Sequence, residues 1–132
     1  MSLKIQEVSL SIKGRLIVND VSINVKPGEV VGLMGPNGAG KTTTFNIAVG
    51  NIKPDKGEVL MNDKNITNLP LPTRSRLGLG YLTQEASIFR DLTVKENIDL
   101  ALQNSSYSIA AIRSRREQLI NEFNLNNFVD NY

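Results

Sequence analysis

Apolar residues recur near every second position at the start of the chain. Ile5, Val8, Leu10 and Ile12 keep a period close to two, and the runs "RLIV" and "VSINV" follow. Asn19-Asp20 and Lys26-Pro27-Gly28 supply turn punctuation, so residues 1–28 are expected to form short strands. The pattern then changes. "EVVGLM", residues 29–34, is a continuous apolar run of the kind that a parallel sheet covers on both faces. After a glycine-rich stretch, Lys41 to Val49 reads as a helix, with Gly50-Asn51 suited to its C-terminal stop. A strand is expected over Glu58 to Met61, closed by a turn at Asn62-Asp63-Lys64. "PTRSRL" reads as a short helix opened by Pro72, and Leu79 to Thr83 as a second core strand.

From Leu92 the period becomes helical. Thr93-Val94-Lys95-Glu96 fits a capping box, and Val94, Ile98, Ala101 and Leu102 share one helical face. Ile109, Ile112, Leu119, Ile120 and Phe123 again keep helical spacing, and Arg113, Arg115 and Arg116 among them read as a solvated face. The expected organisation is a mixed α/β unit over residues 1–86, followed by the start of a helical unit over residues 87–132.

Composition narrows the chemistry. A chain of 132 residues can bury one modest core, and a formal net charge of only +2 gives no basic field made for nucleic acid. There is no cysteine and no histidine, which removes disulfides, thiolate metal sites and imidazole acid–base chemistry from these residues. No apolar run approaches the roughly 20 residues that span a bilayer. The opening "MSLKIQEVSLSIKG" alternates instead of forming a signal-peptide core, so export by that route is not expected.

One stretch stands apart. "GPNGAGKTT", residues 35–43, satisfies the phosphate-loop pattern Gly35-x-x-x-x-Gly40-Lys41-Thr42, with the apolar run before it and the expected helix after it. A polyphosphate is cradled by inward-pointing backbone N–H groups, and that bend needs residues without a Cβ at several positions. Asn37, Gly38, Ala39 and Gly40 are the candidate cradle, and the first helical amides add donors at the positive end of the helix dipole. Lys41 can reach the β- and γ-phosphates, the Thr42 hydroxyl can ligate Mg²⁺, and Thr43 can contact the α-phosphate side. A turn that binds nothing has no use for a lysine and a hydroxyl at a helix start.

The wider pattern resembles the ATP-binding cassette (ABC) ATPases. "GPNGAGKTT" is similar to that family's Walker A loop, and "KPGEVVGL" before it and residues 50–59 after it look like its lead-in and β-subdomain hairpin. "GYLTQE" resembles its Q-loop and "DLTVKENI" the opening of its helical subdomain. "GYLTQEASIFRDLTVKENI" looks most like the branch that powers lipopolysaccharide export. The resemblance implies an α/β P-loop NTPase core with an antiparallel β subdomain, cut short within the helical subdomain. It implies an ATP-binding subunit with ATP and Mg²⁺ as cofactors, peripheral on the cytoplasmic face of the inner membrane and dimeric as a full-length subunit. It gives Lys41 and Gln84 catalytic roles, with Gln84 joining Thr42 on the metal and sensing the γ-phosphate and the attacking water. Residues 84–90, including Phe89 and Arg90, would receive the membrane subunits; no nucleic-acid partner is expected.

There are departures. The family usually has an aromatic residue for adenine stacking where this chain has Ile12, so stacking is weak here or supplied elsewhere. Thr83 stands where close relatives usually have proline. The family's signature "LSGGQ", its Walker B Asp-Glu and its switch histidine do not follow Gln84. The expectation is therefore an N-terminal fragment that is inactive alone, with apolar sheet edges left uncovered and prone to self-association. The alternatives are a non-catalytic nucleotide-binding or interaction module, or a soluble ABC ATPase that moves nothing across a membrane.

Overall fold

The computed structural model describes residues 1–83, 87–103 and 108–132. They divide into two compact units, Met1–Tyr81 and Leu82–Tyr132.

The first unit is built on a four-stranded antiparallel sheet in the order β2-β1-β3-β4, from β1 (Leu3–Ile12), β2 (Arg15–Val25), β3 (Lys56–Met61) and β4 (Lys64–Asn65). Alternation in β1 is not strict, because Gln6 and Glu7 stand opposite Ser22 alone between the pairs Ile5↔Ile23 and Val8↔Val21. That bulge keeps Ile5, Val8 and Leu10 all buried despite their uneven spacing. Asn62 and Asp63, with φ of 49° and 62°, make the two-residue link between Met61 and Lys64. Two consecutive left-handed residues match the right-handed strand twist, which is why Asn and Asp occupy them. The core joins Ile5, Val8, Leu10 and Val18 of the first hairpin to Val59, Met61 and Ile66, and to Ile47, Ala48 and Val49 of helix α1 (Lys41–Val49). Helix α2 (Leu71–Arg76) follows, with Pro72 in its first turn as expected.

Two expected strands do not form. Residues 29–34 and 79–83 are assigned to no strand, and Val30 is 98% exposed and Met34 91%. A strand exists only through ladder bonds to a neighbour, and among the described residues no strand runs beside either segment. An apolar run reports the burial a segment calls for; it does not provide the neighbour. Apolar side chains are uncovered at Val30 and Met34, but not on a sheet edge, and Leu79 is buried in the core.

The second unit holds α3 (Val94–Gln103) and α4 (Ile109–Glu122). The capping box forms: Thr93 N–H donates to Glu96 Oε2 at 2.8 Å, and Glu96 N–H donates to Thr93 Oγ1 at 3.3 Å. Arg116 is not part of a solvated face. It crosses to Asp99 with two bonds of 2.9 and 3.1 Å, joining α4 to α3. Among the described residues no helix is long and apolar enough to cross a membrane.

Candidate functional site

The glycine-rich stretch folds as a loop that feeds directly into α1. Ala39 N–H turns back to Pro36 O at 3.3 Å, and Gly40, at φ 85° and ψ 5°, occupies the position before the helix. Only glycine suits Gly40 on two counts. Its φ is left-handed, and a Cβ there would stand 2.5 Å from the Ile17 carbonyl oxygen of β2. The loop therefore lies hard against the sheet at its exit, while Asn37, Gly38 and Ala39 are exposed at its crest.

The helix start is left open. Thr44 makes the first bonds, its N–H to Gly40 O at 2.8 Å and its hydroxyl to the same oxygen at 3.0 Å. The amides of Lys41, Thr42 and Thr43 precede that bond, no side chain caps them, and no acidic residue occupies the first turn. Such a terminus offers N–H donors and the positive end of the helix dipole to an anion. Lys41 curls over the loop, and its ammonium donates to Gly35 O at 2.6 Å and Pro36 O at 2.7 Å. Thr42 is exposed and Thr43 half-buried in the same turn. Asn37, Gly38, Ala39, Gly40, Lys41, Thr42 and Thr43 are thus brought together on one loop and one helical turn. The donor set fits a polyphosphate: backbone amides, one cation, one exposed hydroxyl and no carboxylate.

The far end of α1 is anchored by a residue that sequence reading passed over. Arg74 of α2 has no solvent exposure, and burial lowers its guanidinium from the ordinary value without discharging it. It donates through Nη1 to Ile47 O at 2.8 Å and Ala48 O at 2.6 Å, through Nε to Leu69 O at 2.8 Å, and through Nη2 to Thr67 O at 2.9 Å. In sequence Arg74 looks like any arginine of a short polar helix. Its place three residues from both Leu71 and Leu77, on the apolar side, was the available signal.

The remaining candidates lie away from this loop in sequence. Gln84 falls outside the described residues. Thr83 and Ser87 flank it with their hydroxyls 2.6 Å apart, and Ile88 and Phe89 are exposed, Phe89 at 60%. Asn97, also missed in the sequence, brackets the Phe89 peptide from α3. Ile12, at the end of β1, is 44% exposed.

A glycine-bent loop, an open helix start and a lysine folded back on the loop carbonyls follow the pattern of the glycine loop in P-loop nucleotide-binding folds. Residues 18–132 match the ABC transporter family, and the chain belongs to it. It is 46% identical over 123 residues to the lipopolysaccharide export system ATP-binding protein LptB of Acidithiobacillus ferridurans, covering 93% of this chain and 51% of that protein. The LptB proteins of Haemophilus influenzae and Escherichia coli K12 are 44% and 45% identical, over 96% and 98% of this chain. This chain spans about half the length of these relatives. Among solved structures, one of an ATP-binding subunit of an ABC transporter superposes with a TM-score of 0.85 at 28% identity, over 100% of this chain and 54% of that one. A nucleotide-free ATP-binding cassette gives 0.80 at 25% identity, over 99% and 57%.

Proposed function

We propose that this chain supplies the phosphate-holding part of the ATP-binding subunit of an ABC transporter, one that couples ATP binding and hydrolysis to export of a lipid, lipopolysaccharide. The observation that carries the reading is the open first turn of α1 together with the Lys41 ammonium held on the loop carbonyls of Gly35 and Pro36. In this reading the amides of residues 37–43 hold the phosphates and Lys41 leaves the Gly35 and Pro36 carbonyls for the β- and γ-phosphate oxygens. The Thr42 hydroxyl is a ligand for Mg²⁺, which neutralises phosphate charge when bound. Gln84 is assigned to the metal and the attacking water on the family resemblance alone. Residues 84–90 meet the membrane subunits, a role given by the family resemblance and favoured by the exposure of Phe89. The subunit works as a homodimer at the inner face of the inner membrane, and the names of relatives matching 93–98% of this chain favour lipopolysaccharide as cargo. Residues 35–43 carry no carboxylate to act as a base toward the water, and we expect the chain to bind ATP without turning it over.

Calorimetric titration with Mg-ATP, together with a phosphate-release assay, tests this in the unaltered chain and in Lys41→Ala. Binding that the substitution weakens by about ten- to a hundredfold, with no phosphate release from either, is expected. Equal binding by both overturns the loop assignment, and phosphate release by the unaltered chain overturns the account of catalysis. A non-catalytic module shares the binding result but predicts no affinity for purified membrane subunits of a lipopolysaccharide exporter.

A further inference from the structure

Arg74 is a buried cation, and no carboxylate lies within ion-pairing distance of it among the described residues. Burying a guanidinium costs several kcal/mol unless its donors and its charge are both met. Here both are met by carbonyl oxygens. Two of the four, Ile47 O and Ala48 O, belong to the last turn of α1, the negative end of that helix's dipole. The other two, Leu69 O and Thr67 O, belong to the segment that leads into α2. The planar fork thus ties the end of α1 to a separate stretch of chain, at a geometry a flexible ammonium cannot reproduce.

Gly50 makes room for this grip. It ends α1 at φ 87°, and a Cβ there would lie 2.7 Å from both Arg74 Nε and Leu69 O. The position therefore serves the helix stop and the guanidinium together.

The opposite end of the same helix carries Lys41 and the open amides. A helix of nine residues is about 13 Å long and stiff, so a tilt or slide at its C-terminus is passed on to its first turn. Oriented donors are sensitive to such shifts: a displacement of about 1 Å can cost two orders of magnitude.

We propose that Arg74 is a positioning residue for the phosphate loop: by gripping the last-turn carbonyls of α1 it fixes where the first-turn amides stand. This rests on the reading of residues 35–43 as the phosphate site. Arg74 touches no phosphate; it acts through the helix.

The test compares Arg74→Lys and Arg74→Met with the unaltered chain and Lys41→Ala. Folding is checked by circular dichroism, ATP affinity by calorimetry, and amide exchange of the peptide covering residues 40–44 by mass spectrometry. Arg74→Met is expected to bind ATP roughly tenfold more weakly per folded molecule, with faster exchange in residues 40–44 and unchanged exchange in β1, and Arg74→Lys to recover part of both losses. A role confined to stability would lower the unfolding midpoint and leave the affinity of the folded molecules alone. A folded variant with unaltered affinity and exchange therefore overturns the proposal. Should Arg74→Met fail to fold, Arg74→Lys decides by the same two readouts. Should Lys41→Ala leave ATP binding intact, the phosphate reading falls, and exchange at residues 40–44 alone decides the role of Arg74.

Discussion

The Asn97 carboxamide brackets the peptide of Phe89, accepting from its N–H at 2.9 Å and donating to its carbonyl at 3.0 Å. The same Nδ2 donates to Leu92 O and Thr93 O at 3.0 Å each, so one side chain from α3 holds the whole stretch that presents Phe89. Replacing the donor by an oxygen turns these contacts repulsive. Asn97→Asp is expected to destabilise the second unit by about 1–3 kcal/mol and to expose the Arg90–Asp91 bond. Trypsin cleavage after Arg90, followed in time, checks this; a rate equal to the unaltered chain's contradicts it.

Lys41→Ala removes a cation that bonds Gly35 O and Pro36 O. Loss of one charge-assisted contact to phosphate, about 1.5–3 kcal/mol, predicts ATP affinity lower by about ten- to a hundredfold. The secondary structure should not change, and circular dichroism beside the calorimetric titration checks both parts.

Two loop glycines should respond differently to alanine. At Gly40 the new methyl would meet Ile17 O at 2.5 Å as well as a left-handed φ, whereas at Gly38, φ 81°, nothing lies within 4 Å. Gly38→Ala should cost about 1 kcal/mol from backbone strain alone, and Gly40→Ala clearly more because the sheet must also move. Urea unfolding of the two variants separates the cases, and equal costs would remove the argument that the loop is pressed against β2.

Glu96 titrates below the ordinary glutamate range, first because the Thr93 backbone N–H donates to it and then because the Thr93 hydroxyl does. A carboxylate depressed in the folded state stabilises fully above its unfolded value and loses that contribution as pH falls through its folded value. Thr93→Ala should therefore fray α3 at neutral pH, and the difference from the unaltered chain should shrink below about pH 4. Helical ellipticity measured against pH in both proteins is the check.

Val30 and Met34 expose nearly their whole side chains, at 98% and 91%. Val30→Lys with Met34→Glu removes apolar surface without emptying a core, so the unfolding free energy should stay within about 0.5 kcal/mol. Light scattering at rising concentration should show less association than in the unaltered chain. Scattering that does not fall would place the association elsewhere.

What the sequence made legible was local. Helix α1, its stop at Gly50, the Asn62-Asp63 link and the Thr93–Glu96 box each depend on residues a few positions apart, and each forms. The loop that gathers Asn37 to Thr43 was legible for the same reason. Residues 29–34 and 79–83 were misread because pairing is a property of two segments and an apolar run describes only one. Arg74 and Asn97 were missed on similar grounds. Their importance lies in backbone groups that Arg74 meets up to 27 positions away and Asn97 up to 8, and backbone groups leave no mark in side-chain identity.

Helix α1 begins and ends on left-handed glycines, Gly40 at 85° and Gly50 at 87°, with a partner waiting at each end. It behaves as a keyed spacer. Adding or removing one residue would rotate one end relative to the other by about 100°, turning either the lysine away from its loop or the terminal carbonyls away from the guanidinium. Length in this stretch is consequently as strongly constrained as chemistry, and viable variants should change its letters without changing its count.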